Sequence, residues 1–205
     1  MTALGAGVLH ELAAAGVGCD VVAGHSLGEV TALVAAGALD AESAVRLAAV
    51  RGRLMAREAA LHPGCMAAIT AHVEDEALDA VQWASGRGRA QVAAHNAADE
   101  WVLSGDAAAM HAIPAKYAPA MLATGGPWHS VAMQGAVGEY RAALRSSIGR
   151  PTVPIIANRH GRLVRPDENL VELVAGQLLR AVEWHATMQT LRAMNPEMIV
   201  TVGPA

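Results

Sequence analysis

Gly24-His25-Ser26-Leu27-Gly28-Glu29 follows the apolar run Val21-Val22-Ala23 and opens the alanine-rich stretch Val30 to Ala38. A strand that turns at once into a helix around a serine needs glycine on both sides, because the serine backbone is strained and its neighbours must pack without a Cβ. Such a turn lifts the hydroxyl to the top of a sheet. It also aims the first N–H groups of the helix, and the positive end of its dipole, at any oxyanion formed there. An ordinary turn can carry the same residues, so the pattern by itself leaves Ser26 either a nucleophile or a turn serine. Glu29 reads equally as a first-turn carboxylate facing the helix dipole.

The run GHSLGEVTALVAAGALDAESAVRLAAVRGRLM closely resembles the acyltransferase family that includes malonyl-CoA:acyl carrier protein transacylases and the acyltransferase domains of polyketide synthases. Further segments match in order. His95-Asn96-Ala97-Ala98 with Trp101-Val102-Leu103-Ser104-Gly105 resembles the family's Asn-Ser-Pro segment and Val-Ile-Ser-Gly strand. Gly126-Pro127-Trp128-His129-Ser130 with Met133 resembles the segment that supplies a catalytic histidine. Gln177-Leu178 with Glu183-Trp184, then Val202-Gly203-Pro204, resemble the Gln-Leu…Gln-Trp stretch and the Val-Gly-Pro-Gly terminus.

The resemblance implies a ping-pong acyl transfer from malonyl-CoA to the phosphopantetheine thiol of an acyl carrier protein, in fatty acid or polyketide synthesis. Ser26 would be the nucleophile and Leu27 a backbone oxyanion donor. His129 would be the general base, oriented by the backbone carbonyl of Gln177 in place of the usual aspartate. Arg51, twenty-five residues after Ser26, would take a free carboxylate through two parallel N–H bonds; on the residues alone it is one surface arginine among Arg46, Arg53 and Arg57. His25 would line the pocket, and Trp128 would gate the α-carbon or simply pack against a small subdomain. Asn158 matches an asparagine near the site or caps a strand end. No metal or cofactor beyond the CoA thioester is implied. The alternatives are a serine thioesterase or hydrolase with the same elbow, or a catalytically impaired fragment.

The departures point to a fragment or a shortened member. Only 25 residues precede Ser26, and the family's opening Gly-Gln-Gly turn is absent; a larger polypeptide or partner would then supply it. Pro114 interrupts an expected helix.

Composition suits a cytoplasmic enzyme. The 53% hydrophobic share contains no Phe, so small side chains must fill the core. The uncharged run Val30 to Leu39 is too short to span a bilayer, and the opening residues show no basic stretch followed by an apolar segment, so no signal peptide is expected. A net charge of −4 with scattered arginines offers no basic face for nucleic acid. Cys19 and Cys65 lack metal-ligand spacing and are expected to be reduced.

Periodicity predicts α/β architecture: an α/β-hydrolase-like parallel sheet core with an inserted ferredoxin-like small subdomain. The expected division is 1–62 and 122–205 for the large part and 63–121 for the insertion. Helices are expected over 4–15, 27–36, 41–60, 74–85, 133–147, 170–179 and 182–194. Strands are expected over 19–23, 65–71, 90–95, 100–104, 122–124, 153–157 and 198–202.

Overall fold

The computed structural model describes residues 1–203. Helix α1 (Thr2–Ala14) lies against α2 (Gly28–Ala35), close enough that a Cβ on Gly5 would stand 2.8 Å from the Thr31 methyl. Between them Val22 makes an isolated parallel bridge to Ile155. Asp40 then starts α3 (Ala41–Leu61), its carboxylate accepting the Ser43 N–H at 2.8 Å, as an N-cap should.

The chain next builds β1 (Cys65–Thr70), α4 (Glu74–Ser85), β2 (Ala90–His95), β3 (Glu100–Gly105), α5 (Ala107–His111) and β4 (Ala120–Met121). It returns through α6 (Gln134–Arg145), β5 (Ile156–Ala157), β6 (Arg162–Leu163), α7 (Leu170–Gly176), β7 (Val182–Glu183) and α8 (Trp184–Ala193). The main sheet runs β4-β1-β3-β2-β7; all its pairs are antiparallel except β2 with β7, and β5 pairs with β6 separately.

Three buried clusters follow from the side-chain pattern. Val30, Leu33, Leu47, Leu54, Val137, Tyr140, Leu144, Ile155 and Leu178 are buried together between α2, α3, α6 and the residues after α7. Alternation along β1 and β3 sends Ala67, Ile69, Trp101 and Leu103 to the face covered by α4 and α5, and Met66 and Val102 to the other. Ala77, Ala80 and Ala84 have no exposed surface, so the α4 backbone sits close on the sheet. Large residues are unnecessary where backbones approach this near. Trp128 packs against both the large core and the second face of the sheet, which brings the loop before α6 into the cleft between them.

The α/β class and the βαββ insertion agree with expectation; the expected parallel core sheet is reduced to the Val22–Ile155 bridge among the described residues, strand 153–157 shortens to Ile156–Ala157, and other strands depart further. A strand exists only where a neighbour supplies its ladder. Residues 19–23 keep just the Val22 bridge, and 198–202 pair with nothing among the described residues, leaving Met198, Ile199 and Val200 exposed. Leu122 donates to the Met66 carbonyl, but Thr124 turns back onto Leu122, so no strand forms over 122–124. Residues 182–183, expected to be helical, instead extend beside Ala94 and His95. Pro114 leaves α5 a five-residue helix. Cys19 and Cys65 are free thiols. Among the described residues no helix is long and apolar enough to cross a membrane. The expected Pro204 terminus lies outside the described residues.

Candidate active site

The elbow is built as the glycine at its entry demands. A Cβ on Gly24 would stand 2.1 Å from the Gly28 carbonyl oxygen, an impossible contact, whereas a Cβ on Gly28 would meet open space. Glycine is therefore required before the serine only, a correction to the symmetric expectation. Ser26 has φ 51°, a left-handed backbone that a non-glycine residue holds only under external constraint. The constraint is Asn158. Its Oδ1 accepts the Ser26 N–H at 2.7 Å, its side-chain NH2 donates to the Gly24 carbonyl, and its own N–H donates to Glu29 Oε1 at 2.8 Å. With Gly28 and Glu29 N–H turned back onto His25 and Ser26 and the Ser26 N–H held by Asn158, the Leu27 N–H beside the nucleophile has no acceptor among the described residues.

His129 approaches from the loop before α6, also with positive φ, at 54°. Its Nε2 lies 2.7 Å from Ser26 Oγ and its Nδ1 2.8 Å from the Gln177 carbonyl. A carbonyl only accepts, so Nδ1 carries the proton and Nε2 offers its lone pair to the serine O–H. Burial, followed by the nearby Arg51 charge, pushes the His129 pKa down to about 3. The imidazole is therefore neutral and able to accept a proton.

Arg51 reaches the same atoms from α3. One terminal guanidinium nitrogen, Nη2, donates to Ser26 Oγ at 3.1 Å and to Gln177 Oε1 at 3.0 Å. The side chain is buried, with burial pulling its pKa below the usual arginine value, and it forms no ion pair among the described residues. Behind it, the Gln177 amide donates to the Ser26 carbonyl at 3.0 Å and to Glu29 Oε2 at 2.6 Å. Glu29 is wholly buried, and desolvation raises its pKa to about 7 against the pull of Asn158, Gln177 and Arg51. A hydroxyl that donates to a neutral imidazole beside an unpaired cation is equipped for nucleophilic attack on an anionic substrate.

The acyl transferase domain family matches residues 1–204. The chain belongs to that family. The malonyl CoA-acyl carrier protein transacylase of Mycolicibacterium smegmatis is 36% identical over 183 residues, covering 84% of this chain and 60% of that protein. The crystal structure of FabD from Acinetobacter baumannii superimposes with a TM-score of 0.90 at 30% identity, covering 98% of this chain and 67% of that one. The acyltransferase domain from the second module of the salinomycin polyketide synthase gives 0.81 at 30% identity, over 94% and 45%. The chain thus spans about 60% of the length of the curated malonyl CoA-acyl carrier protein transacylases it matches.

Within this acyl transferase domain, the fold brings Ser26, Leu27, Arg51, His129 and Gln177 to one point. Other expected site residues stand differently. Both polar atoms of the Asn158 side chain are engaged by the elbow backbone and the residue has no exposed surface, so it braces the nucleophile rather than lining a substrate pocket. His25 is exposed, bonded through Nε2 to Asn96 Oδ1 at 2.9 Å and edge-on to Trp184 at 5.4 Å between centroids, which ties the elbow to the end of β2. Trp128 is half-buried and wedged between the large core and the second face of the sheet; its indole edge lies so near Gly126 that a Cβ there would approach within 2.8 Å.

Sequence reasoning missed Gln91 and underrated Glu29. Gln91 holds the backbone at His129, Val131 and Leu179, yet its only sequence signal is one amide among small residues. The register shift between Val92 and Ala94 breaks the alternation that would have assigned it a face. Glu29, three residues after the serine, faces inward because Asn158 and Gln177 offer it donors that no local pattern announces.

Proposed function

We propose that this chain moves a malonyl group from CoA to the phosphopantetheine thiol of an acyl carrier protein through an acyl-Ser26 intermediate. The observation that carries the reading is Arg51: a buried cation without an ion pair among the described residues, one nitrogen of which touches the nucleophile. A buried guanidinium left unpaired is costly unless a ligand supplies the anion. A carboxylate close to the scissile carbonyl, as in malonyl, fits that need, and an unsubstituted fatty acyl chain does not.

In the first half-reaction Ser26 Oγ attacks the thioester carbonyl carbon while its proton passes to His129 Nε2. The tetrahedral oxyanion is received by the Leu27 N–H. The C–S bond then breaks and the departing thiolate takes the proton back from His129, leaving malonyl-Ser26 and CoA. The carrier thiol repeats the sequence in reverse, and no metal or further cofactor enters the scheme. A malonyl carboxylate seated on Arg51 would offset the positive field that helps depress His129. The correct acyl group would thereby strengthen its own general base, an advantage that acetyl cannot provide.

Intact-protein mass after mixing with malonyl-CoA tests the proposal. A malonyl adduct is expected on the wild type, lost in Ser26→Ala and formed far more slowly in His129→Ala. An adduct that persists in Ser26→Ala overturns the assignment. CoA release without carrier loading would indicate hydrolysis instead.

A further inference from the structure

We infer that Gln91, on the small-subdomain strand β2, is a positioning residue that fixes the imidazole of His129 between Ser26 and Gln177. Its side-chain NH2 donates to the His129 carbonyl at 3.0 Å and to the Leu179 carbonyl at 3.1 Å, and its Oε1 accepts the Val131 N–H at 2.9 Å. The partners settle the orientation of the amide: two carbonyls require the NH2, and an N–H requires the oxygen.

These bonds join two segments that must keep a set separation. Leu179 closes the turn Gln177–Leu179, whose first carbonyl receives His129 Nδ1–H. His129 itself sits at φ 54°, a conformation held only when its surroundings over-determine it. Ser130 braces the loop from within, donating to the Pro127 carbonyl at 2.6 Å. Gln91 instead reaches it from 38 residues away and ties the same amide to the Gln177 turn. It acts on the reaction only through His129. Displacing a reacting group by about 1 Å can cost about a hundredfold in rate.

The inference rests on Ser26 and His129 acting as a nucleophile–base pair, which is the chemical half of the proposed function, and it is independent of the acyl donor. A fluorophosphonate ester is therefore the probe: the Oγ–P bond forms, the P–F bond breaks with loss of fluoride, and the serine proton passes to His129. Labelling of Ser26 is followed by intact mass on the full chain. Gln91→Leu should react about tenfold to a hundredfold more slowly than wild type. Gln91→Glu keeps an acceptor for Val131 but sets a carboxylate against two carbonyls; it should be equally slow at mildly alkaline pH. Its rate relative to wild type should recover on acidification, when the carboxyl regains an O–H donor. That recovery is foreign to a merely structural role, and Gln91→Glu carries the test if Gln91→Leu fails to fold. Labelling rates within about twofold of wild type, even with a lowered melting temperature, would overturn the inference. So would a wild type that the probe does not label at all. Labelling as expected with no malonyl adduct would sink the malonyl reading and leave the role of Gln91 standing.

Discussion

Asn158 Oδ1 accepts the backbone N–H of Ser26 at 2.7 Å, so the nucleophile's own amide is unavailable to the substrate and the elbow is locked from the strand opposite. The same side chain donates to Gly24. Asn158→Leu should orphan both groups, each at about 1–3 kcal/mol, and release the strained Ser26 backbone. A lowered urea midpoint together with slowed acyl-enzyme formation is the expected result. Unchanged stability would mean that water or a neighbour replaces the clamp.

The two glycines of the elbow should behave in opposite ways. Gly24→Ala forces a Cβ into the Gly28 and Glu29 backbone, at 2.1 and 2.7 Å, and is expected to cost more than about 3 kcal/mol. Gly28→Ala places a methyl in open space at the first residue of α2. It should stabilise the protein by about 0.5–1 kcal/mol through helix propensity. Thermal melts of the pair check both signs.

Two buried groups impose opposing pH dependences. Glu29 titrates near 7 in the folded protein against its ordinary 4.5. Between those values the native state holds a proton that the unfolded chain has released, so stability falls as pH rises. His129 titrates near 3 against its ordinary 6.5. Between those values the unfolded chain holds the extra proton, and stability rises with pH. The two slopes oppose each other from about pH 4.5 to 6.5 in the wild type. Urea titrations across that window should show a rise in Glu29→Gln, where only His129 acts, and a fall in His129→Ala. Wild-type and Glu29→Gln curves that run parallel would remove Glu29 from the account.

Arg51 trades stability for selection. Arg51→Met removes a buried cation that has no ion pair among the described residues, at the expense of its hydrogen bonds to Ser26 Oγ and Gln177 Oε1. Because desolvating an ion costs several kcal/mol and an orphaned amide oxygen about 1–3, the variant should melt at the same or a higher temperature. Its malonyl transfer should be weaker by about 2–5 kcal/mol, the range for truncating one partner of a buried charge pair. Acetyl transfer should suffer less. Malonyl and acetyl rates that fall together would mark Arg51 as structural.

Elements whose causes are local were legible in the sequence. Helix α4 lies where periodicity puts it, Asp40 caps α3, and Gly24 cannot be anything else. The elbow announces a serine because a strained turn has few solutions. The family resemblance brings His129, Arg51 and Gln177 into view, and the fold joins them at one point across 103, 25 and 151 residues of chain.

What the sequence determined by itself is the set of turns, caps and helical faces, since each depends on residues within a few positions of one another. Only the tertiary structure decided which extended segments became strands, because a ladder requires a partner: residues 182–183 found β2, while 198–202 found none among the described residues. It alone turned Asn158 from substrate toward the elbow, drew Glu29 inside, and set Gln91 across two segments. Buried polar groups take whichever donors and acceptors the fold brings near, and an unmet one costs about as much as a good core contact provides. Their roles are therefore fixed by neighbours in space.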